Sequence, residues 1–236
     1  MNSDLTIIFL TLNLMPESWV RFQLEHLVQS ADGARIISIS RVPMSLGDNV
    51  LQTEPRSYWN IYMQLLRGSH MATTPYVAMA EDDVLYTPNH FSEFRPKMDE
   101  VSYDHSRWSL FTWDNMYCMR QRINNSTMIG PREYVIDALE ERKARWPQGL
   151  PDTRVGEIAR PDKDRLMRVS PRKMFVWYCR NPVVQLTHES GTDSGNYPRI
   201  PGRKRLIKKH GQMKAYDIPY WGKASDVLKY YYGTET

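Results

Sequence analysis

The chain opens with a largely apolar stretch, Leu5–Leu12 (LTIIFLTL), whose β-branched residues predict a buried strand. Pro16 follows, where proline suits a first helical turn. Val20, Leu24, Leu27 and Val28 then recur at helical spacing within Glu17–Val28. Arg35–Ser40 (RIISIS) reads as a second short strand. A loop with Pro and Gly leads to renewed helical periodicity over Tyr58–Leu66, which Thr73, Thr74 and Pro75 bring to an end. Tyr76–Ala80 predicts a third strand. Strands that alternate with helices imply parallel pairing through crossovers, so the first half reads as an α/β, Rossmann-like nucleotide-binding unit.

The second half is less regular. Trp108–Met119 predicts a strand and Pro131–Trp146 a helix. Pro147–Asp164 reads as a Pro- and charge-rich loop, and Lys173–Cys179 and Val183–Thr187 as two short strands. No internal repeat or low-complexity linker divides the chain. Its 236 residues, 41% of them hydrophobic, suit one domain over 1–236 with halves meeting near residue 85.

Composition changes this picture little. No apolar run approaches the roughly 20 residues that cross a bilayer. The start, MNSDLTIIFL, carries Asp4 and no basic stretch, so it reads as a strand rather than an export signal. Cys118 and Cys179 fit no metal spacing and are expected to be reduced core thiols of a cytoplasmic protein. Charge is more informative. The net charge is +4, but the stretch Arg199–Lys214 carries seven cations and no acid, which leaves the remainder at −3. Basicity confined to one stretch marks a contact surface for a polyanion.

The sharpest anomaly is YVAMAEDDVLY, Tyr76–Tyr86. Here the apolar strand stops at Glu81, Asp82 and Asp83, then resumes. Ligands of open α/β sheets collect beyond the carboxyl ends of strands, and three adjacent carboxylates there suit a hard cation such as Mg²⁺ or Mn²⁺ bridging a diphosphate. A solvated strand end is the plainer alternative. Across roughly Leu5 to Asp83, the arrangement resembles the GT-A nucleotide-sugar glycosyltransferases of the family-two-like kind, with E-D-D in place of their D-x-D motif. The resemblance implies a GT-A-like mixed sheet, a UDP- or GDP-sugar donor, and donor contacts from Thr11, Asn13, Arg41, Asn60 and Asp82. It also implies metal contacts from Glu81 and Asp83, joined by His188, because several such enzymes supply a C-terminal histidine. Many members carry an acid after the second strand that reads the base. Ser40 and Arg41 stand there in this chain, which leaves the base open.

An inverting transfer needs a base for the acceptor hydroxyl. Asp114, Glu133, Asp152 and Glu157 are the candidates, and the resemblance favours Glu157, then Asp152. Arg203, Lys204, Arg205, Lys208 and Lys209, flanked by Tyr197, Tyr216, Tyr220 and Trp221, suit nucleic acid with stacking aromatics. A hydroxymethylated base in phage DNA is therefore one expected acceptor, and a glycan is the other. Two further readings stand beside these. A nucleotidyltransferase would carry Gly and Lys near the first strand, and TLNLMPESW has neither. A non-catalytic nucleic-acid-binding protein would leave the strand-end acids unexplained.

Overall fold

The first apolar run becomes β1 (Leu5–Leu10), buried along its whole length. Its side chains alternate between two cores, as strand geometry requires. Leu5, Ile7 and Phe9 pack with Leu27 and Ala31 of α1 (Glu17–Ala31), while Ile8 and Leu10 pack with Tyr62, Leu65 and Leu66 of α2 (Tyr58–Met71). A strand that is apolar on both faces needs helices on both sides. This one has them. The computed structural model describes residues 2–119, 121–151, 154–188 and 213–234.

In chain order the remaining strands are β2 (Arg35–Ser40), β3 (Asp48–Leu51), β4 (Tyr76–Glu81), β5 (Val84–Leu85), β6 (Glu100–Asp104) and β7 (Trp108–Phe111). They continue with β8 (Tyr117–Met119), β9 (Met128–Pro131), β10 (Lys173–Trp177), β11 (Val184–Thr187), β12 (Lys214–Ala215), β13 (Asp217–Ile218) and β14 (Gly222–Lys223). The other helices are α3 (Pro88–Ser92), α4 (Arg132–Arg145), α5 (Pro161–Met167) and α6 (Ala224–Tyr232).

Seven strands form the main sheet in the order β10-β6-β9-β4-β1-β2-β3. The strands from β3 to β4 are parallel, β9 runs against them, and β6 and β10 share the direction of β4. The sheet is mixed, as the sequence resemblance implied. Six strands therefore end along one edge, the carboxyl edge, marked by Leu10, Ser40, Leu51, Glu81, Asp104 and Trp177.

A second sheet, β12-β8-β7-β11-β5, leaves the first at the acidic turn. There β5 pairs antiparallel with β11, and β11 pairs parallel with β7. Trp108, Leu110, Val184 and Leu186 of this sheet pack against Trp19 of α1 and Val227 and Leu228 of α6.

Several elements differ from the sequence reading. β3 lies in what reads as loop, because its only apolar residues, Val50 and Leu51, alternate with nothing. Trp108–Met119 is a hairpin of two strands rather than one, since Thr112–Met116 turns the chain back. β6 and β9 are not legible from periodicity, being short strands with polar or Gly positions among their apolar ones. The expected loop Pro147–Asp164 contains the start of α5. Both cysteines are buried, and no disulfide joins them. Among the described residues no helix is long and apolar enough to cross a membrane.

Candidate active site

Thr11 continues the β1–β2 ladder through its N–H to the Ile39 carbonyl, 3.0 Å, and stands where β1 ends. Its hydroxyl donates to Asp82 Oδ2 at 2.5 Å and accepts from the Asn13 N–H at 2.8 Å. Asn13 adopts the left-handed region, φ 56°, which Asn tolerates better than most residues. Its Oδ1 accepts from the backbone N–H groups of Arg41, 2.8 Å, and Val42, 3.2 Å. One Thr and one Asn thus tie the exits of β1, β2 and β4 together.

The acidic residues form the turn between β4 and β5, and other side chains hold its backbone. Trp19 Nε1 donates to the Asp82 carbonyl, 2.8 Å, and Gln23 Nε2 to the carbonyls of Val84, 3.1 Å, and Glu81, 3.4 Å. These two residues lie four apart on α1 and so share a face. Tyr86 Oη accepts from the Glu81 N–H, 3.1 Å, and donates to the Ser126 carbonyl, 2.9 Å. Asp83 Oδ2 accepts from Gln185 Nε2 at 3.2 Å, and Gln185 Oε1 in turn accepts from the buried Arg107 guanidinium. These hydrogen bonds tie the turn to α1, to β11 and to Tyr86.

Register explains how a histidine some hundred residues later arrives here. Gln185 pairs with Val84, and Leu186 N–H donates to the Asp83 carbonyl at 2.7 Å. β11 runs antiparallel to β5, so each further residue of β11 moves back along the acidic turn, and His188 emerges beside Asp82. The two groups feel one another. Burial pushes the Asp82 carboxyl up to about 6, helped by the Asp83 charge and offset by the Thr11 hydrogen bond and by His188. Burial holds the His188 imidazole below its ordinary value; Asp82 opposes this and Arg56 adds to it. His188 Nδ1 is buried without a hydrogen-bond partner among the described residues, and Tyr231 of α6 lies 6.5 Å from the ring.

The other sequence candidates fall in several places. Asn60, expected to contact the donor, has its amide engaged within the protein. Its amide donates to Gln52 Oε1, 2.9 Å, and its carbonyl accepts from Gln64, 2.9 Å, inside the core. Gln52 Nε2 reaches the Thr11 carbonyl at 3.4 Å, so Asn60 supports the site from beneath. Arg41 is exposed at the edge, with Nη2 on the Glu54 carbonyl at 2.7 Å. Glu133 lies at the start of α4, directly after β9. β9 runs against β4, with Pro131 opposite Tyr76, so Glu133 stands at the edge away from the acidic turn. Asp114 follows β7 on the same side as His188, since Thr112 N–H donates to the Thr187 carbonyl at 3.0 Å.

Glu157 sits on a loop clamped to the carboxyl edge. Tyr103 Oη donates to the Ile158 carbonyl, 2.8 Å, and buried Arg142 donates to the carbonyls of Gly156, 2.8 Å, and Glu157, 3.1 Å. Its carboxylate pairs with Arg160 at 2.9 Å. Asp152 lies outside the described residues, as do Arg203, Lys204, Arg205, Lys208 and Lys209. Sequence reasoning missed Trp19, Gln23, Tyr86 and Gln185. The single signal was a pair of polar or amphipathic residues, Trp19 and Gln23, at helical spacing.

Among the described residues no three His, Cys, Asp or Glu side chains form a ready metal cage. The donors present, carboxylates with one imidazole, still fit a hard divalent cation. Mg²⁺ in particular is commonly held by one or two carboxylates and completed by substrate phosphates.

No family model and no curated protein matches the chain. Solved structures similar to it include a mannosyltransferase from Pyrobaculum calidifontis in complex with GDP-Man and Mn²⁺. That likeness has 12% identity and a TM-score of 0.49, covering 88% of this chain and 62% of that one. A nucleotidyl transferase from Methanothermobacter matches at 10% identity and TM-score 0.42, over 87% of this chain and 97% of its own. The bifunctional IspDF from Campylobacter jejuni matches at 11% identity and TM-score 0.43, over 76% of this chain. The chain spans half the length of IspDF and less than two thirds of the mannosyltransferase. Likenesses this distant stand beside the functional reading and do not carry it.

Proposed function

We propose that this protein is a metal-dependent glycosyltransferase that moves a sugar from a nucleotide-sugar to an acceptor hydroxyl. The observation that carries the reading is the meeting of Thr11, Asp82 and His188 at the carboxyl edge, where three strand ends converge. One or two of Glu81, Asp83 and His188, completed by the substrate's phosphates, would hold Mn²⁺ or Mg²⁺, and the cation would supply positive charge at the departing diphosphate. Thr11 and Asn13 shape the wall where β1 and β2 end, which suits the nucleoside. Asp82, fixed by the Thr11 hydroxyl and by Trp19 beneath its carbonyl, suits orientation of the donor sugar. The network under the turn keeps these groups in place without reorganisation as charge develops.

The acceptor proposed from sequence is a hydroxyl of a modified base in DNA, with a glycan hydroxyl as its alternative. Both are compatible with the same donor site. The test is thermal stabilisation by UDP- and GDP-sugars with and without Mn²⁺, together with release of the nucleoside diphosphate. One donor is expected to stabilise the protein only with metal, and Asp83→Ala to abolish both responses. Equal activity in Asp83→Ala sinks the assignment. Stabilisation by nucleoside triphosphates alone moves it to nucleotidyl transfer.

A further inference from the structure

Asp82 and Asp83 are held by unlike partners. Asp82 meets the hydroxyl of Thr11, whereas Asp83 Oδ2 accepts from the side-chain amide of Gln185 at 3.2 Å. An amide can turn either end toward a carboxylate, and only its N–H end is attracted. A second group decides the matter here. Arg107, wholly buried directly before β7, donates from Nη1 to Gln185 Oε1. A guanidinium carries five donors and no acceptor, so the amide oxygen faces Arg107 and Nε2 faces Asp83. Turning the amide over would set donor against donor and oxygen against carboxylate at once.

Asn124 reinforces the choice. Its Oδ1 accepts from the N–H of Ser126, 2.9 Å, and from the Ser126 hydroxyl, 2.7 Å, so its donor end faces Gln185 Oε1 at 3.5 Å. The backbone repeats the grip. Gln185 pairs with Val84 in the β5–β11 ladder, and Leu186 N–H donates to the Asp83 carbonyl at 2.7 Å. Adjacent residues of β11 thus hold Asp83 by its side chain and by its main chain.

We propose that Gln185 is a positioning residue, whose amide, oriented by Arg107, holds the Asp83 carboxylate ready for the divalent cation. The inference rests on the glycosyltransferase reading and singles out Asp83 among the candidate ligands. A neutral amide orients a carboxylate and leaves its charge for the metal. Groups that orient a metal-binding side chain in this way typically contribute about ten- to a hundredfold in metal affinity.

Electron paramagnetic resonance of Mn²⁺ with the full chain, alone and with UDP or GDP, tests this. Gln185→Met keeps the length of the side chain and removes both of its hydrogen bonds. Gln185→Glu leaves Arg107 its acceptor, which spares the fold, and removes only the donor to Asp83. Both variants are expected to bind Mn²⁺ about tenfold or more weakly in the presence of the preferred nucleotide. At saturation the spectrum of the bound ion should broaden, because Asp83 no longer holds one orientation. Ser102→Ala removes a buried hydrogen bond to the Ile129 carbonyl within the main sheet and controls for a general loss of stability. It should lower the unfolding midpoint in EDTA and leave Mn²⁺ affinity and spectrum as in wild type. Wild-type affinity and spectrum in either Gln185 variant, or an equal loss in Ser102→Ala, overturns the positioning role alone. Loss of the fold in both Gln185 variants does the same, since the role is then structural. Failure of the wild type to bind either nucleotide with Mn²⁺ overturns the glycosyltransferase reading, and this inference with it.

Discussion

Replacing Asp82 with asparagine measures what the acidic turn costs the protein when no ligand is present. Burial and the neighbouring Asp83 charge raise the Asp82 carboxyl from 3.8 to about 6. An acid raised on folding contributes stability that is complete below its unfolded value and is lost as pH rises through the folded one. The shift of about two units corresponds to roughly 3 kcal/mol withheld from the native state at neutral pH, and about half of that at pH 5. Asparagine keeps an oxygen that can accept the Thr11 hydroxyl, so the local geometry survives while the charge goes. Urea unfolding in EDTA, followed by tryptophan fluorescence at pH 5.0 and 7.5, reads the difference. Asp82→Asn should be more stable than wild type at pH 7.5, and the gap should widen by about 1 kcal/mol or more between the two pH values. A gap independent of pH, or a variant less stable than wild type at pH 7.5, refutes the reasoning. Donor with Mn²⁺ should reverse the order, since a ligand stabilises the form that binds it.

Two further changes probe the scaffold beneath the site. Tyr86→Phe removes the hydroxyl that joins the Glu81 N–H to the Ser126 carbonyl and should cost about 1–3 kcal/mol in chemical unfolding. It should also lower donor affinity; unchanged stability would show that the bridge is replaced by water. Arg142→Met strips the carbonyls of Gly156 and Glu157 of their donor and leaves Asp164 buried without its partner, 3.1 Å away in the wild type. A loss of about 3–5 kcal/mol is expected, relieved in part by adding Asp164→Asn; full additivity of the two changes would mean that the pair is not coupled.

The strong elements of the first half were legible because their signals are local. β1 is apolar but for Thr6, α1 and α2 carry helical periodicity, and Thr73–Pro75 stops α2 before β4. β6 and β9 were not legible. Their burial comes from neighbours far along the chain, Val101 and Val135 closing around Gly130, and no window of a few residues contains that information. Asn60 shows the limit for single polar residues. Its place on the helix before β4 is visible in the sequence, yet whether its amide faces a ligand or Gln52 depends on which way α2 is rolled against the sheet.

By itself, the sequence determined that a buried strand ends in three acids and that this strand belongs to an α/β succession. Composition along a few residues decides strand, helix and turn, and an acidic turn after an apolar strand is such a local fact. Tertiary structure decided what stands around those acids. The antiparallel register of β11 on β5 returns His188 to Asp82, and α1 places Trp19 and Gln23 under the turn. These meetings depend on pairing register and helix rotation, which are set by packing across the whole sheet. A charge pattern can announce that a site exists; only the closed sheet chooses its members.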